Sequence, residues 1–417
     1  MPSTPRTPPL PLTTLGHHRR RWLTWLAGAT MWPVSGCGGG SGNTAGLSTG
    51  GTGSFTNGTV NGLGSIIVNR IRYDNRQAQV QHSDGTTAAN TFKLGMVVSV
   101  EGSAISGSVS AGTATATATR ISYDSEWIGP VGQIDVAAST FALLGNTVSV
   151  SSATVFDGTN VRELADLRPT HWVEVYGYVN PATQTLQATR VEVRASAPGA
   201  YKLSGLLSDL RHDRCTLGPL TLSYTPGQAG VSLYEGMLLR VHLVPQPDAA
   251  GRWAVTRWQV LDQLLTDLDI SEADEAELKG RITAHRSATD FSVNGCPVDA
   301  RGVSGVAALG LTLGSRVEVK GAVSQGVVRA TEVERLEEED VRDNEFELHG
   351  RLTHLDTQAG TFVLRGYTVH YTDDTVFELD GALWAVGLLV EVDAVQRQGR
   401  WYATQVEADT DAESEAD

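Results

Sequence analysis

Valine and isoleucine alternate with polar residues in short runs along most of this chain, and one run recurs. Leu313-Gly314-Ser315-Arg316-Val317-Glu318-Val319-Lys320-Gly321 has close counterparts in Leu94 to Gly102 and Val386 to Ala394, and a shorter one in Gly236 to Val241. Leu167 to Gly177 is a further copy, longer and without the leading glycine. A period of two puts Val317 and Val319 on one face and Glu318 on the other, the pattern of a half-buried strand. The companions of the motif recur too. Leu278 to Thr283 (LKGRIT) lines up with Leu348 to Thr353 (LHGRLT), and Ala330 to Glu334 (ATEVE) with Ala403 to Glu407 (ATQVE). The chain therefore reads as about five units of roughly 65 to 75 residues. Each unit holds five extended segments and no long helical pattern. Laid flat, five short strands would leave two open edges, so closure is the stable arrangement. The expected fold is all-β: a tandem array of about five small five-stranded antiparallel barrels, OB-like. Immunoglobulin-like sandwiches would need about seven strands and about 100 residues each.

The units fall at 54–124, 125–195, 200–262, 278–335 and 346–408. Acidic stretches at 263–277 and 336–345 read as linkers, the first as either a short helix or an extended connector, and 409–417 as an acidic tail. The first 36 residues read as a sorting signal. A proline-rich lead and His17-His18-Arg19-Arg20-Arg21 precede an apolar run from Trp22 to Met31, too short to span a bilayer, which takes about 20 apolar residues. Residues 37–53 form a Gly/Ser/Thr tether.

Val34-Ser35-Gly36-Cys37 at the end of the apolar run resembles the lipobox of bacterial lipoproteins. That resemblance implies cleavage between Gly36 and Cys37 and acylation of Cys37, so the chain would reach the membrane through a lipid. Arg19-Arg20-Arg21-Trp22-Leu23 also resembles a twin-arginine export motif, with tryptophan where that family has phenylalanine; a general export signal would be basic here as well. Gly38, in place of the aspartate that retains lipoproteins at the inner membrane, implies the outer membrane, facing the periplasm or the cell exterior.

Cleavage would remove Arg6, Arg19, Arg20 and Arg21 and no acid, lowering the net charge of −15 by four, to −19. So acidic a surface repels phosphate backbones, which disfavours nucleic acid as a partner. After Cys37 only Cys215 and Cys296 remain, readable as a bridge between units or as small buried side chains.

The string L-G-x-x-V-E-V-x-G followed by A-T-x-V-E resembles the tandem modules of domain-of-unknown-function family 5666, found in exported bacterial proteins and lipoproteins. The likeness is best in the fourth and fifth units and poorest in the third, where Arg240-Val241-His242 replaces V-E-V. The resemblance implies no catalytic residues.

No other constellation names a reaction. Eight histidines are scattered over the units without H-E-x-x-H or His-x-His spacing, and there is no close cysteine pair, so no metal or cofactor is expected. His349, His354, Asp356 and His370 share the fifth unit and read as surface or strand-filling residues. Gly62-Leu63-Gly64 has no following helix to present amides to a phosphate. Glu318 and Glu334 lie in the outward phase beside Val317, Val319 and Val333, which predicts a solvated face rather than an acid–base pair. Tryptophans carry what binding signal there is. Trp127, Trp172, Trp258, Trp384 and Trp401, with Trp253, occupy strands or strand ends, where a ring either stacks on a sugar or peptide or packs as core. The expected function is a non-catalytic, lipid-anchored envelope protein whose modules bind an envelope protein or glycan. The alternatives are a structural spacer without a ligand and, more distantly, a hydrolase or metal site in one module. Exposed aromatics on matching faces of several modules would favour binding over the spacer.

Overall fold

The computed structural model describes residues 53–83, 85–338 and 345–409. The expected signal, Cys37, nearly all of the tether, and the tail beyond Asp409 lie outside them. Twenty-nine strands are described. Module one holds β1 (Gly53–Leu63), β2 (Ile66–Val68), β3 (Ile71–Asp74), β4 (Gln79–His82), β5 (Val97–Ser103) and β6 (Thr115–Tyr123). Module two holds β7 (Trp127–Asp135), β8 (Thr140–Leu143), β9 (Asn146–Ser149), β10 (Val155–Asp157), β11 (Trp172–Asn180) and β12 (Thr185–Arg194). Module three holds β13 (Tyr201–Ser208), β14 (Arg214–Leu217), β15 (Leu220–Ser223), β16 (Leu238–Leu243) and β17 (Trp253–Val260). After one helical turn, α1 (Leu264–Asp267), module four holds β18 (Glu272–Ser287), β19 (Asp290–Val293), β20 (Cys296–Asp299), β21 (Arg316–Ser324) and β22 (Val327–Arg335). Module five holds β23 (Glu345–Arg351), β24 (His354–Asp356), β25 (Thr361–Leu364), β26 (Tyr367–His370), β27 (Val376–Glu378), β28 (Leu389–Arg397) and β29 (Arg400–Ala408).

Modules three and four each close with five strands. In module four, β18 pairs with β19, β19 with β20, β20 with β22, β22 with β21, and β21 returns to β18. In module three the same order runs β13, β14, β15, β17, β16 and back. The barrels are not wholly antiparallel, as the alternation of short strands suggested. An odd number of strands cannot alternate direction all the way round a closed ring, so one neighbouring pair must run parallel. That pair is the third and fifth strands, β15 with β17 and β20 with β22. Modules one and two repeat these pairings and add short strands, β4 beside β6 and β10 beside β12; in module five the first strand is split into β23, which pairs with β28, and β24, which pairs with β25, and β27 is added beside β29.

The recurrent motif is the fourth strand of each module, and its valines point inward as its alternation predicts: Val317 and Val319 are buried. Gly321 sits at a bulge between β21 and β22, where a Cβ would meet Arg329 O. The hairpin between β8 and β9 turns on Leu144 and Gly145, both at positive φ. Of the expected linker 263–277, part is α1 and the rest from Glu272 is already β18; Leu265, Leu268, Ile270, Ala273 and Ala276 enter the core of module four.

The modules are not independent beads. Ser54 to Asn57 of β1 run parallel to Glu275 to Leu278 of β18, and Gly62 and Leu63 run parallel to Glu347 and Leu348 of β23. Modules two and three share one apolar core, while Phe55 of module one lies in the core of module four. Gly295, at φ 81°, packs so closely on Leu261 O of module three that a Cβ would overlap it. Cys215 and Cys296 are free and buried in separate cores, so they form no bridge. Burial pushes both thiols up, Cys215 to about 12, which leaves them as small inert core residues.

Candidate functional site: an apolar shelf on module five

The tryptophans separate into core and surface. Trp127 is fully buried, and its Nε1–H donates to Ser204 O at 2.9 Å across modules two and three. Trp401 is buried edge-on against Phe346 and Tyr367, with centroids at 4.7 and 5.4 Å. Neither ring is open to a ligand, so both leave the set of stacking candidates. Burying a large ring in the small core of such a barrel outweighs exposing it. Trp172, Trp253 and Trp258 are half-buried. Trp253 tilts against Tyr201 at 5.9 Å, and Trp258 packs edge-on against Tyr224 at 5.3 Å.

Trp384 belongs to a different setting. It packs edge-on against Phe362 at 5.3 Å and Phe377 at 5.2 Å, with Tyr371 beside it at 6.1 Å. Its indole N–H has no hydrogen-bond partner among the described residues. The half-buried ring belongs to the segment 376–386, called the shelf below. Val376, Phe377, Leu383 and Val386 stand around it in the sequence, and Leu383 is 82 % exposed. These four are half of the eight large apolar side chains exposed among the described residues. Asp373, Asp374, Glu378 and Asp380 are exposed along the same segment, giving the shelf an acidic rim. The cause is local: β27 pairs only with β29, by Val376 to Glu378 against Gln405 to Glu407, and all three of its residues face solvent. Scattered single apolar residues on a surface carry no message, but a run of them does. The uncharged string Leu383-Trp384-Ala385-Val386 was the signal for it, since a connector between barrel strands is ordinarily polar. Among the described residues exposed aromatics do not gather on matching faces of several modules, the arrangement that would favour binding over the spacer; the exposed apolar side chains concentrate on one module.

The other candidate residues are engaged separately. His349 Nε2 shares a hydrogen bond with Asp409 Oδ2 at 2.9 Å, His370 stacks on Tyr402, and Asp356 accepts from the amides of Gln358 and Ala359. His354 is exposed. Among the described residues no group of three or more His, Cys, Asp or Glu is placed to hold a metal ion. Glu334 is exposed as expected, but Glu318 is not on a solvated face. It pairs with Lys320 at 3.2 Å beside Glu277, in the seam between β18 and module one.

A cavity of about 100 Å³ lies where modules one to four meet. Its polar lining is occupied by the contacts that hold the modules together. Asn294 Nδ2 donates to Asn57 Oδ1 at 2.7 Å, Asn57 Nδ2 to Ser99 Oγ at 3.0 Å, and Arg240 Nη2 to Glu126 Oε1 at 2.6 Å. Lys202 pairs with Asp124 beside them. This junction is a structural element rather than an open site.

Three segments match DUF5666, a domain of unknown function. They are residues 128–192, 279–334 and 349–407, which correspond to modules two, four and five. The shelf therefore lies on the last DUF5666 segment of the chain. No curated protein matches the chain. A solved structure, drosophila Unr CSD456, aligns at 14% identity over 52% of this chain and 99% of its own, with a TM-score of 0.14. The strand order described above, not that likeness, defines the fold.

Proposed function

We propose that this chain is a non-catalytic cell-envelope protein, anchored through a lipidated Cys37 at the outer membrane, that binds an envelope protein through the shelf of module five. The observation that carries the reading is the clustering of Val376, Phe377, Leu383 and Val386 on one exposed segment. Covering a Leu or Phe side chain is worth roughly 1.5–3 kcal/mol, so four together are a sufficient anchor for a partner. A protein fits better than a glycan, because sugar stacking uses an open ring face and Trp384 presents its ring to Phe362 and Phe377. The spacer alternative is less well supported, because β1 pairs with both β18 and β23, which folds the array back on itself instead of extending it.

A photo-crosslinking side chain placed at Leu383 in living cells is expected to yield a discrete, protease-sensitive adduct that the same group at exposed Thr357 does not. Equal labelling at both positions, or none at either, would count against the reading. Cys37→Ala is expected to move the protein from the membrane to the soluble fraction, and persistence at the membrane would remove the anchor.

A further inference from the structure

In each module a connector leads from the third strand into the recurrent fourth one, and the fourth and fifth strands form a hairpin. In three modules the connector is covered by the hairpin of another module. Gly95 and Gly314, which lead the motif in modules one and four, are buried under module two. A Cβ at Gly95 would overlap Thr189 O of β12, and one at Gly314 would overlap the Asn180 side chain and crowd Ala182 in the turn after β11. Module five covers the connector of module two in turn, its β28–β29 turn setting Gly399 against Arg162 O. Modules three and five receive no such cover. Their leading glycines, Gly236 and Gly387, share the backbone conformation of the other two, with φ of 82° and 91°, yet are exposed, with open space where a Cβ would stand. Six of the eight large apolar side chains exposed among the described residues lie on these two bare connectors: Val231 and Tyr234 in module three, and the four of the shelf.

The hairpins show the complementary pattern. Those of modules two and five are the covers just described. Module one turns Ile105 and Val109 of its hairpin onto its own core, and the Ile105 amide donates to Glu275 Oε2 of module four. The short turn of module four bonds to the start of its own first strand, Gly326 N donating to Ser271 O and Gln325 N to Glu272 Oε1. The hairpin of module three is left over. Residues 244–251 are all exposed, and Val244, at its base, is a seventh of the eight exposed apolar residues. The hairpin and its second strand carry Arg252 and Arg257 against one acid, Asp248, whereas the shelf is rimmed by Asp373, Asp374, Glu378 and Asp380.

Building on the binding role proposed above, we infer that the partner on the shelf is a second copy of this chain, which seats its module-three hairpin, residues 244–252, on the connector of module five. The contact repeats between two copies what the covered modules make within one. Val244 meets the apolar shelf, and the cations of the hairpin face its acidic rim. A net charge of −15 opposes self-contact wherever signs are not matched locally, and these two surfaces match them. The surfaces differ, so the association is heterologous. A chain that gives its hairpin to one neighbour keeps its own shelf free for another, and assembly continues into a ring or a filament.

Sedimentation of the full chain in detergent solution is expected to show association that rises with concentration. Leu383→Asp and Val244→Asp, both at exposed positions, should each weaken it at least about tenfold, and Val136→Asp, in the exposed β7–β8 turn, should leave it unchanged. Mixing the two weakened chains is the deciding arm. The Leu383→Asp chain keeps its hairpin and the Val244→Asp chain its shelf, so the mixture is expected to form a one-to-one dimer that grows no further. A chain that stays monomeric, a mixture that associates no better than its parts, or an effect of Leu383→Asp without one of Val244→Asp would overturn the inference; the last pattern would mean that shelf meets shelf or the connector of module three. If the chain stays monomeric while the Leu383 adduct forms in cells at a mass other than that of two chains, the shelf remains a binding site and only the second copy falls as its occupant. If the adduct is missing too, the binding role falls with it.

Discussion

Arg240→Ala is expected to cost about 3–5 kcal/mol of stability, the range for removing one partner of a buried charge cluster. Arg240 is 3 % exposed, and its guanidinium reaches three modules. Nη1 donates to Ser83 Oγ of module one at 2.7 Å and to Gln259 Oε1 of module three at 3.2 Å; Nη2 donates to Glu126 Oε1 of module two at 2.6 Å. Nη1 also lies 3.3 Å from Asp124 Oδ2, whose other oxygen meets Lys202. Burial by itself would raise the Asp124 carboxyl, but Arg240 and Lys202 more than offset it and hold the group well below its usual range. A carboxyl depressed in the folded state stabilises above its ordinary value, and that contribution is lost as pH falls toward the lowered one. Without Arg240, Asp124 and Glu126 keep one cation between them. The loss should therefore be largest near neutrality and shrink in acid, where Asp124, no longer held down by Arg240, takes up a proton. Denaturant midpoints at pH 7 and pH 3 measure this, and a change below about 1 kcal/mol at pH 7 would show that the cluster is not holding the junction. Arg240→Met combined with Glu126→Gln, which removes one charge of each sign and leaves the Asp124–Lys202 pair in place, should recover much of the loss.

This cluster shows how far the sequence could be read. The alternation that places Val317, Val319 and Val333 inside was legible because each strand reports its own faces. The closing parallel pair was not, since hairpin patterns describe only successive neighbours. Aligning Arg240-Val241-His242 with V-E-V was off by one residue. Gly236 matches Gly314, so Leu239 stands at Val317 and Arg240 at Glu318, as the pairings of Val241 with Leu203 and of Val319 with Leu278 confirm. Lys202, before Leu203, then stands where Glu277 precedes Leu278. Module three thus reverses the sign of two charges that modules two, four and five share, and the reversed pair meets Asp124 and Glu126 at the entry to module two. The reversal is visible in the sequence only once the register is known. The pairings of β1 with β18 and β23 left no trace at all, because contacts between distant modules impose no local period. Tryptophan does not mark the shelf in the sequence, because three of its four exposed apolar side chains are aliphatic, Val376, Leu383 and Val386.

The same position makes stability depend on alkali. Glu277 and Glu347 precede the equivalent Leu278 and Leu348, and each lies where its strand runs parallel to β1 of module one. Glu277 is 6 % exposed. Burial, reinforced by the charge of Glu318, pushes it up to about 8 from 4.5, against the opposing pull of Lys320, Arg70 and Lys279. Glu347 is raised by burial and then by Glu391, because Arg72, which bridges the two carboxylates, compensates only one negative charge. For such groups the folded state binds more protons than the unfolded state between the ordinary and the raised values, so stability falls as pH climbs through that window. Below about pH 4.5 both states are protonated and the groups contribute no pH dependence; above about pH 8 the folded chain carries uncompensated buried charge in both seams. Glu277→Gln and Glu347→Gln are each expected to raise the free energy of unfolding at pH 9 by an amount on the order of a few kcal/mol and to leave it nearly unchanged at pH 4, as denaturant titrations would read. The double variant should be close to additive, since the two seams lie on different strands and no ion pair links them among the described residues. Comparing each variant with wild type at every pH cancels the titration of the other carboxylates. A glutamine variant that is less stable than wild type at pH 9, or equally stabilised at pH 4 and pH 9, would mean that Glu277 and Glu347 are ionised in the folded chain and that the seams close over charge instead of over protons.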